Sequence, residues 1–175
     1  MAELPDITRA ACDKALRRLA EGDMSALETV YHKLGRKIFL TAFSVLGNTH
    51  TAEDVMQDTF LRLAGSAGGY RAGSNATAYI LTVTRNLAIN ELEKRKREFP
   101  AEELFGADAP EEDTLPLREL EALRTLSEDD RQIVILKLDA GMKHRDIAAL
   151  LGITPAACEK RYQRALEKLK AYYEA

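Results

Sequence analysis

The chain has 175 residues, with 25 lysines and arginines against 28 aspartates and glutamates, so its net charge is −3. This length suffices for one large or two small domains with a hydrophobic core, and it excludes a chain that is disordered throughout. Taken as a whole, the acidic balance argues against a protein that binds nucleic acid.

The first 97 residues carry apolar side chains at steps of three and four, which is the period of an α-helix. The runs are Leu27, Tyr31, Leu34, Ile38, Ala42 and Val45; Met56, Phe60 and Leu63; and Ile80, Val83 and Leu87. No alternating strand pattern competes with them. With a short helix around Ile7–Leu19, these runs predict a four-helix module.

Helix-ending and helix-starting residues separate these runs. Gly47-Asn48 predicts the end of the second helix, and Thr51 with Asp54 three residues later predicts a capping box at the start of the third. A glycine-rich stretch, Gly65–Ser74, then precedes a long fourth helix. We expect that helix to run from about Ala76 to Arg97 and to stop before Pro100.

The fourth helix carries polar residues at one- and two-turn spacings and ends in a basic cluster: Arg85, Asn86, Asn90, Lys94, Arg95, Lys96 and Arg97. A basic helix end alone is usually a solvated C-terminus that suits the helix dipole. Here Tyr70 and Arg71 precede the helix among flexible glycines and add an aromatic ring and a further cation. Such a surface suits a single nucleic-acid strand with splayed bases.

The acidic charge of the chain is concentrated between Glu98 and Glu121, where the net charge is −8. Residues 22–97 have a net charge of +3 and residues 122–175 a net charge of +2. Three of the five prolines also lie in the acidic stretch, which is typical of an extended linker. The sequence therefore predicts an all-α chain in which residues 1–97 and 119–175 form two helical domains and residues 98–118 join them.

The second domain is predicted to contain four helices, at about Leu117–Leu126, Glu128–Asp139, His144–Leu151 and Pro155–Tyr172. The last two match a helix-turn-helix. Ala148 is small where two helices cross, Gly152 can take the left-handed turn, and Thr154 caps a helix that starts at Pro155.

Cys158, Tyr162, Ala165 and Leu169 form the inward stripe of the last helix. The opposite side carries residues able to contact base edges and phosphates: Thr154, Ala156, Glu159, Lys160, Arg161, Gln163 and Arg164. This pattern favours a DNA-reading helix over an ordinary packed hairpin.

Two cysteines, Cys12 and Cys158, lie far apart without a Cys-x-x-Cys pair, so neither a disulfide scaffold nor a zinc ribbon is supported. No apolar run approaches the roughly 20 residues of a membrane span, and the charged N-terminus lacks a signal-peptide pattern. We therefore expect a cytoplasmic protein with no membrane insertion.

Four segments together make the chain resemble a bacterial RNA polymerase sigma factor of the two-domain extracytoplasmic-function group. They are Ala20–Tyr31, Ala52–Arg62, Ala78–Ala88 and the helix-turn-helix that follows Leu126–Gln132. They occur in order and cover nearly the whole chain. The segment Ala52–Arg62 is the most specific, because many helix-turn-helix proteins lack anything like it.

The resemblance implies a sigma region 2-like first domain and a sigma region 4-like second domain. The first would dock on the clamp coiled coil of the largest polymerase subunit through Asp54, Gln57 and Asp58. The second would pack on the flap of the second-largest subunit and read the −35 element with the helix from Thr154. The acidic linker would thread the channels built for RNA, and an anti-sigma factor would be a further partner.

In the same family the first domain also captures and melts the −10 element of the promoter. The resemblance assigns this contact to Tyr70, Arg71, Ser74, Asn75, Arg85, Asn86, Asn90, Lys94, Arg95, Lys96 and Arg97. No catalytic residue, cofactor or metal is implied.

Several residues depart from the family pattern. Tyr79 stands where tryptophan is usual and Ala76 replaces a common aromatic residue, while Leu166 and Glu167 replace common basic residues. Glu159 replaces a basic residue on the reading helix. Because glutamate can accept a hydrogen bond from a cytosine amino group, this change alters the sequence expected to be read.

Two other interpretations use the same residues. His50, Glu53, Asp54, Gln57 and Asp58 align on one helix face and could form a metal or acid–base site, although acidic residues are also common at helix starts. Alternatively, the chain is a stand-alone helix-turn-helix regulator that binds DNA without polymerase.

Overall fold

The computed structural model describes residues 6–66, 69–100 and 116–175, and these residues form eight α-helices without a strand. The helices are α1 Ile7–Ala20, α2 Ala26–Leu46, α3 Thr49–Ser66, α4 Ala76–Glu98, α5 Leu117–Arg124, α6 Glu128–Leu138, α7 His144–Leu151 and α8 Pro155–Glu174. The predicted all-α class is confirmed. The predicted linker lies mostly at 101–115, outside the described residues.

The first module is built around α2, which packs against α1, α3 and α4. Leu34 and Ile38 of α2 are fully buried with Leu16, Leu63 and Ile80 from the three surrounding helices. Leu34, Ile38, Leu63 and Ile80 belong to the predicted apolar runs. A helix surrounded by three others must present apolar residues on most of its surface.

The junction between α2 and α3 differs from the predicted capping box. The end of α2 is as expected, since Gly47 has the left-handed φ of 66° and its N–H donates to the Phe43 carbonyl. However, α3 begins at Thr49, and the side chain of Asn48 accepts hydrogen bonds from the Thr51 N–H at 2.8 Å and from the Thr51 hydroxyl at 2.9 Å. Asn48 therefore performs the capping role that the sequence pattern assigned to Thr51.

The second module contains the predicted helix-turn-helix, formed by α7 and α8. Gly152 ends α7 with a left-handed φ of 68°, and the Thr154 hydroxyl accepts a hydrogen bond from the Ala157 N–H at 3.2 Å. The residues that hold the two helices together are buried, as predicted: Ile147, Ala148, Cys158, Tyr162 and Ala165.

The two modules pack against each other through α2 and α6. Leu120 and Ile135 of the second module are buried in one apolar cluster with Phe39, Leu40 and Phe43 of the first. The sequence pattern predicted two modules and a linker but gave no sign of this shared core. The consequence is that residues on the facing sides of α2, α4 and α6 are covered.

Candidate nucleic-acid interface

Asp54, Gln57 and Asp58 are exposed on one side of α3, and we call these three residues the docking stripe. The Asp54 side chain is 59% exposed, and its carboxylate lies 3.9 Å from Nε2 of His50. Their spacing of three and four residues places them side by side along the helix. Leu61 continues the same side and is 71% exposed, so the stripe ends in an apolar group that is left uncovered by the residues that the structure describes.

The alternative metal site on this helix receives no support from the geometry. Among the described residues, no three histidine, cysteine, aspartate or glutamate side chains are close enough to hold a metal ion. His50 and Asp54 alone supply two ligands, which are fewer than a structural or catalytic site requires.

The loop before α4 is held by a residue that the sequence patterns did not single out. Asp13 of α1 accepts a hydrogen bond from the Tyr70 hydroxyl at 2.6 Å and another from the Gly73 N–H at 2.8 Å. Both bonds lower the pKa of the Asp13 carboxyl, and the bond from Tyr70 has the larger effect. Because 57 residues separate the two partners along the chain, no local pattern indicates the contact.

Tyr70 does not occupy the exposed stacking position predicted for it. Its side chain is 9% exposed and belongs to the core of the first module, and its ring centroid lies 5.2 Å from that of Tyr79. Burial, followed by the bond to Asp13, raises the pKa of its hydroxyl. Tyr70 therefore supports the loop from inside, while Arg71, Ser74 and Asn75 are exposed on the loop.

Replacing Asp13 by alanine should loosen the loop at residues 70–75. The Gly73 N–H then loses its acceptor, and the Tyr70 hydroxyl keeps only the Ser74 carbonyl at 3.1 Å. We therefore expect amide hydrogen exchange at Gly73 to accelerate by about tenfold or more, because a local opening becomes easier. Since the pKa of Asp13 is lowered, the carboxylate stabilises the loop above the unfolded pKa, about 3.9. This stabilisation should be lost as the pH falls through the lowered pKa.

Arg17→Ala is the matched control for that change. Arg17 pairs with Asp13 at 2.9 Å but its side chain is half exposed, so its removal should leave the loop bonds and the exchange rate of Gly73 almost unchanged. Tyr70→Phe should reproduce part of the Asp13→Ala effect. Equal exchange rates in the parent chain and Asp13→Ala would show that Asp13 does not hold the loop.

The polar side of α4 is only partly available to a ligand. Asn86 and Asn90 are exposed, as are Lys94, Lys96 and Arg97. Arg95 instead donates to the Thr51 hydroxyl at 2.6 Å, and its guanidinium lies 5.5 Å from the centroid of the Phe99 ring. Within the predicted cluster, Arg95 thus holds the end of α4 against the start of α3.

Arg85 contacts the second module. Its Nε donates to the side-chain oxygen of Gln132 at 3.1 Å. Burial lowers the pKa of Arg85, although the negative charges of Glu128 and Asp129 act to raise it. The predicted DNA contact Arg85 is therefore hydrogen-bonded to α6 in the structure.

The outward side of α8 has the exposure predicted for a reading helix. Ala156, Glu159, Lys160 and Gln163 are exposed, and we call these four residues the reading face. Thr154 and Arg164 are also exposed at its borders. Pro155 at the first turn and the Thr154 cap fix where the helix starts, so the reading face begins at a defined position.

Arg161 differs from its neighbours because it is paired within the module. Its Nε donates to Asp130 at 2.8 Å and its Nη1 to Asp129 at 3.0 Å, both in the first turn of α6. Burial opposes ionisation, but the two carboxylates outweigh it and raise the pKa of Arg161. The structure assigns Arg161 a role in orienting α8 on α6, which sequence periodicity did not reveal.

Both cysteines have the environment of small core residues. Cys12 and Cys158 are fully buried. Burial, as the largest cause, raises the pKa of Cys12 to about 11 and also raises that of Cys158. Because the thiolate is the reactive form, these positions do not favour redox chemistry.

No helix in the described parts of the chain is both long enough and apolar enough to cross a membrane.

Comparison with known families matches the two modules separately. Residues 30–98 match the model of Sigma-70 region 2, and residues 117–169 match that of Sigma-70, region 4. The region 2 match includes the docking stripe and all of α4. A stand-alone helix-turn-helix regulator has no need of that region, so the alternative of a polymerase-independent regulator gains no support.

Two curated relatives match along most of their own length. The RNA polymerase sigma factor CarQ of Myxococcus xanthus is 28% identical over 162 residues, covering 89% of this chain and 93% of that protein. The ECF RNA polymerase sigma factor EcfG of Rhodopseudomonas palustris is 33% identical over 138 residues, covering 74% of this chain and 75% of that protein.

Solved structures match the arrangement of the helices. The sigma factor RpoE from Bartonella quintana, in complex with the anti-sigma factor NepR, has a TM-score of 0.68 at 26% identity and covers 85% of this chain and 97% of that one. CnrH in complex with the cytosolic domain of CnrY has a TM-score of 0.63 at 23% identity, covers 94% of this chain and 97% of that one, and shows the fold alone.

Proposed function

Because the chain belongs to the sigma-70 family of RNA polymerase sigma factors, and to its extracytoplasmic-function group, we propose that three of its surfaces have separate roles in promoter-directed initiation. One surface binds polymerase, one binds the −10 strand and one reads the −35 element. The chain binds core RNA polymerase and promoter DNA and directs transcription initiation, as its two sigma regions indicate. The assignment of each task to named residues is the proposal.

The docking stripe on α3 binds the polymerase. Asp54, Gln57 and Asp58 contact the clamp coiled coil of the largest subunit, while the second module packs on the flap of the second-largest. The observation that supports this assignment is the exposure of all three polar side chains on one side of a helix inside the region 2 match. Neighbouring side chains at such a spacing can be buried together by one partner helix.

The loop before α4 and the polar side of α4 hold the melted −10 strand. Exposed polar side chains are available there from Arg71, Ser74 and Asn75 on the loop, and from Asn86, Asn90, Lys94, Lys96 and Arg97 on the helix. Single strands are bound through cations along the backbone and polar or aromatic contacts to unpaired bases. Tyr70 and Arg95 support this surface from inside the module, and Arg85 joins it once Gln132 has moved away.

The reading face on α8 contacts the −35 element in the major groove. Lys160 and Gln163 are the residue types that pair with guanine and adenine edges, and Glu159 can accept from a cytosine amino group. Arg164 and the Thr154 helix start lie where they can contact phosphates. Arg161 keeps the helix in place through Asp129 and Asp130.

Residues 1–97 and 119–175 form the two functional domains, with residues 98–118 as the acidic linker between them. The linker follows the polymerase channels that are built for RNA, since the stretch Glu98–Glu121 that contains it has a net charge of −8, which resembles that of a nucleic-acid backbone. The protein acts in the cytoplasm, where it binds polymerase. An anti-sigma factor binds the protein and keeps it inactive. Two structural relatives were solved in complexes, one of them with a named anti-sigma factor.

The deciding experiment mixes the purified chain with core RNA polymerase and a library of promoter fragments. We expect a stable complex and transcripts that start downstream of a common pair of promoter elements. Core enzyme alone is the control and should give no such enrichment. A chain that neither binds core enzyme nor yields specific transcripts would overturn the proposal.

A further inference from the structure

A cavity of about 320 Å³ lies beside the turn that ends α2, and we call it the arginine cavity. Its lining includes Arg124 of α5, Arg131 of α6 and the carboxylate of Glu128. We infer that this cavity binds a phosphate group through the two guanidinium groups. None of these three residues belongs to the proposed polymerase or DNA surfaces, so the site gives the chain a ligand that initiation itself does not require.

Both arginines are fixed through Nε to backbone carbonyls near the end of α2. Arg131 donates to the Ser44 carbonyl at 2.9 Å, and Arg124 donates to the Gly47 carbonyl at 3.1 Å. The last carbonyls of a helix lack partners within the helix and carry the negative end of its dipole, which suits a guanidinium. Because a guanidinium has five N–H donors, one carbonyl uses only part of what each arginine can donate.

The charge of Arg124 is incompletely compensated. Its Nη2 is buried and has no hydrogen-bond partner among the residues that the structure describes. A charged donor that is unpaired and removed from water is more costly than a neutral one, so a nearby anion would stabilise it. Arg131 is 5% exposed and has also lost most of its contact with water. Two desolvated cations therefore line one cavity.

The charges around the arginine cavity do not balance. Two guanidinium groups and one carboxylate give the lining a net charge of +1, and the Glu128 carboxylate also accepts from the Gln132 amide at 3.2 Å. Burial, as the largest cause, lowers the pKa of Arg131, while Glu128 acts to raise it and Arg124 to lower it further. Since arginine stays charged at neutral pH, an anion in the cavity would offset this excess.

One aromatic ring holds the two arginines close together. Their guanidinium carbons lie 5.6 Å and 5.8 Å from the centroid of the Phe43 ring, which is fully buried. Cation–π attraction at such distances opposes the repulsion between the two charges. A Cβ added at Gly47 would meet Nη2 of Arg131 at 3.1 Å, so the glycine leaves room for this guanidinium. Donors that are already in position favour binding, because little has to be ordered when the ligand arrives.

The chemistry of the lining favours a phosphate group over a carboxylate. The arginine fork matches the oxygens of either group, but a terminal phosphate has a third oxygen and more negative charge with which to accept from two guanidinium groups. The volume is at the lower end of ligand pockets, which begin at about 300 Å³. Leu126, which is 4% exposed, adds an apolar residue to the lining. A diphosphate, or the phosphate end of a small phosphate ester, therefore suits the cavity.

Titration calorimetry of the full chain with inorganic pyrophosphate, at constant ionic strength, tests the site. We expect one pyrophosphate to bind per chain. Arg124→Gln removes one of the two cations and should weaken binding by about tenfold or more. Arg131→Lys keeps the charge but loses the fork, so it should weaken binding by a smaller factor. Circular dichroism checks that each variant remains helical. A parent chain that does not bind pyrophosphate would overturn the inference.

Glu128→Gln should change the affinity in the opposite direction. The variant keeps the size of the side chain and an oxygen for Gln132 but removes the negative charge from the lining, so pyrophosphate should bind about threefold more tightly or better. Asp129→Asn is the matched control, because it removes the same charge from the next residue, whose side chain is 55% exposed and lies outside the lining. Equal tightening in both variants would contradict a specific site.

Arg145→Ala is the control for the loss of a cation. Its side chain is 72% exposed and lies outside the arginine cavity, so pyrophosphate affinity should stay within about twofold of that of the parent chain. An affinity that fell equally in Arg145→Ala and in Arg124→Gln would mean that pyrophosphate only follows the surface charge, and this would overturn the inference.

Competition with DNA identifies what carries the phosphate group. A duplex without promoter elements is added to the chain with bound pyrophosphate. Displacement in the parent chain would assign the arginine cavity to a phosphate of the DNA backbone, whereas retention would assign it to a small soluble phosphate. Both results support a phosphate site, and neither depends on core polymerase. Loss of the proposed initiation function in the core enzyme assay would therefore leave the calorimetric result unchanged.

Discussion

Replacing Asp54 and Gln57 together by alanine should lower the affinity of the chain for core RNA polymerase by about tenfold to a hundredfold. Both side chains are exposed within one turn of α3, so each can be buried by a partner and each truncation then costs about 1 kcal/mol or more. A loss of 1.4 kcal/mol corresponds to a tenfold change in the dissociation constant. Titration of labelled chain with core enzyme gives the measurement.

The matched control for this change is Lys160→Ala with Gln163→Ala. It also removes one charge and one amide from an exposed helix side, but in the second module. Core binding should therefore remain within about twofold of the parent chain. An equal loss of core binding in both double variants would contradict the assignment of docking to α3.

Much of the architecture could be predicted because helices are specified locally. The period of the apolar residues predicted α2, α3, α4 and α8, and Gly47 and Gly152 marked two helix ends because each takes a left-handed conformation there. The exposure of the docking stripe and of the reading face follows from the same period. A helix with one side buried must present its other side to water or to a partner.

The contacts that escaped prediction join residues far apart in the chain. Asp13 holds the loop at Tyr70 and Gly73, and Arg131 contacts the end of α2 at Ser44, 87 residues away. A surface aspartate and a surface arginine have the same local sequence signature as these two residues. Their partners are defined only once α1 lies beside the loop and α6 lies beside α2.

Buried charge also explains why some predicted DNA contacts changed role. The family resemblance predicts Arg85 and Arg95 as DNA contacts, and the outward side of the last helix predicts Arg161 as one. In the structure, each donates to another side chain of the protein, namely Gln132, Thr51, and Asp129 with Asp130. A charged group near an interface is stable only when it is paired, so packing rather than periodicity decides which arginines remain available.

Transcription from a promoter with both elements tests the reading face. Lys160→Ala with Gln163→Ala should lower −35-dependent initiation by about tenfold to a hundredfold, since a good base contact contributes about 1–3 kcal/mol of discrimination. Transcript yield is compared between the selected promoter and a version with a scrambled −35 element. The variant should transcribe the two templates equally, whereas the parent chain should prefer the intact one.

The docking variant Asp54→Ala with Gln57→Ala provides the reciprocal control for this experiment. At saturating polymerase it should still prefer the intact −35 element, because the reading face on α8 is unchanged and α3 lies in the other module. If both double variants lost the preference for the intact −35 element, template selection would depend on the binding of the chain to polymerase as well as on the reading face. A preference kept by Lys160→Ala with Gln163→Ala would place −35 reading elsewhere in the chain.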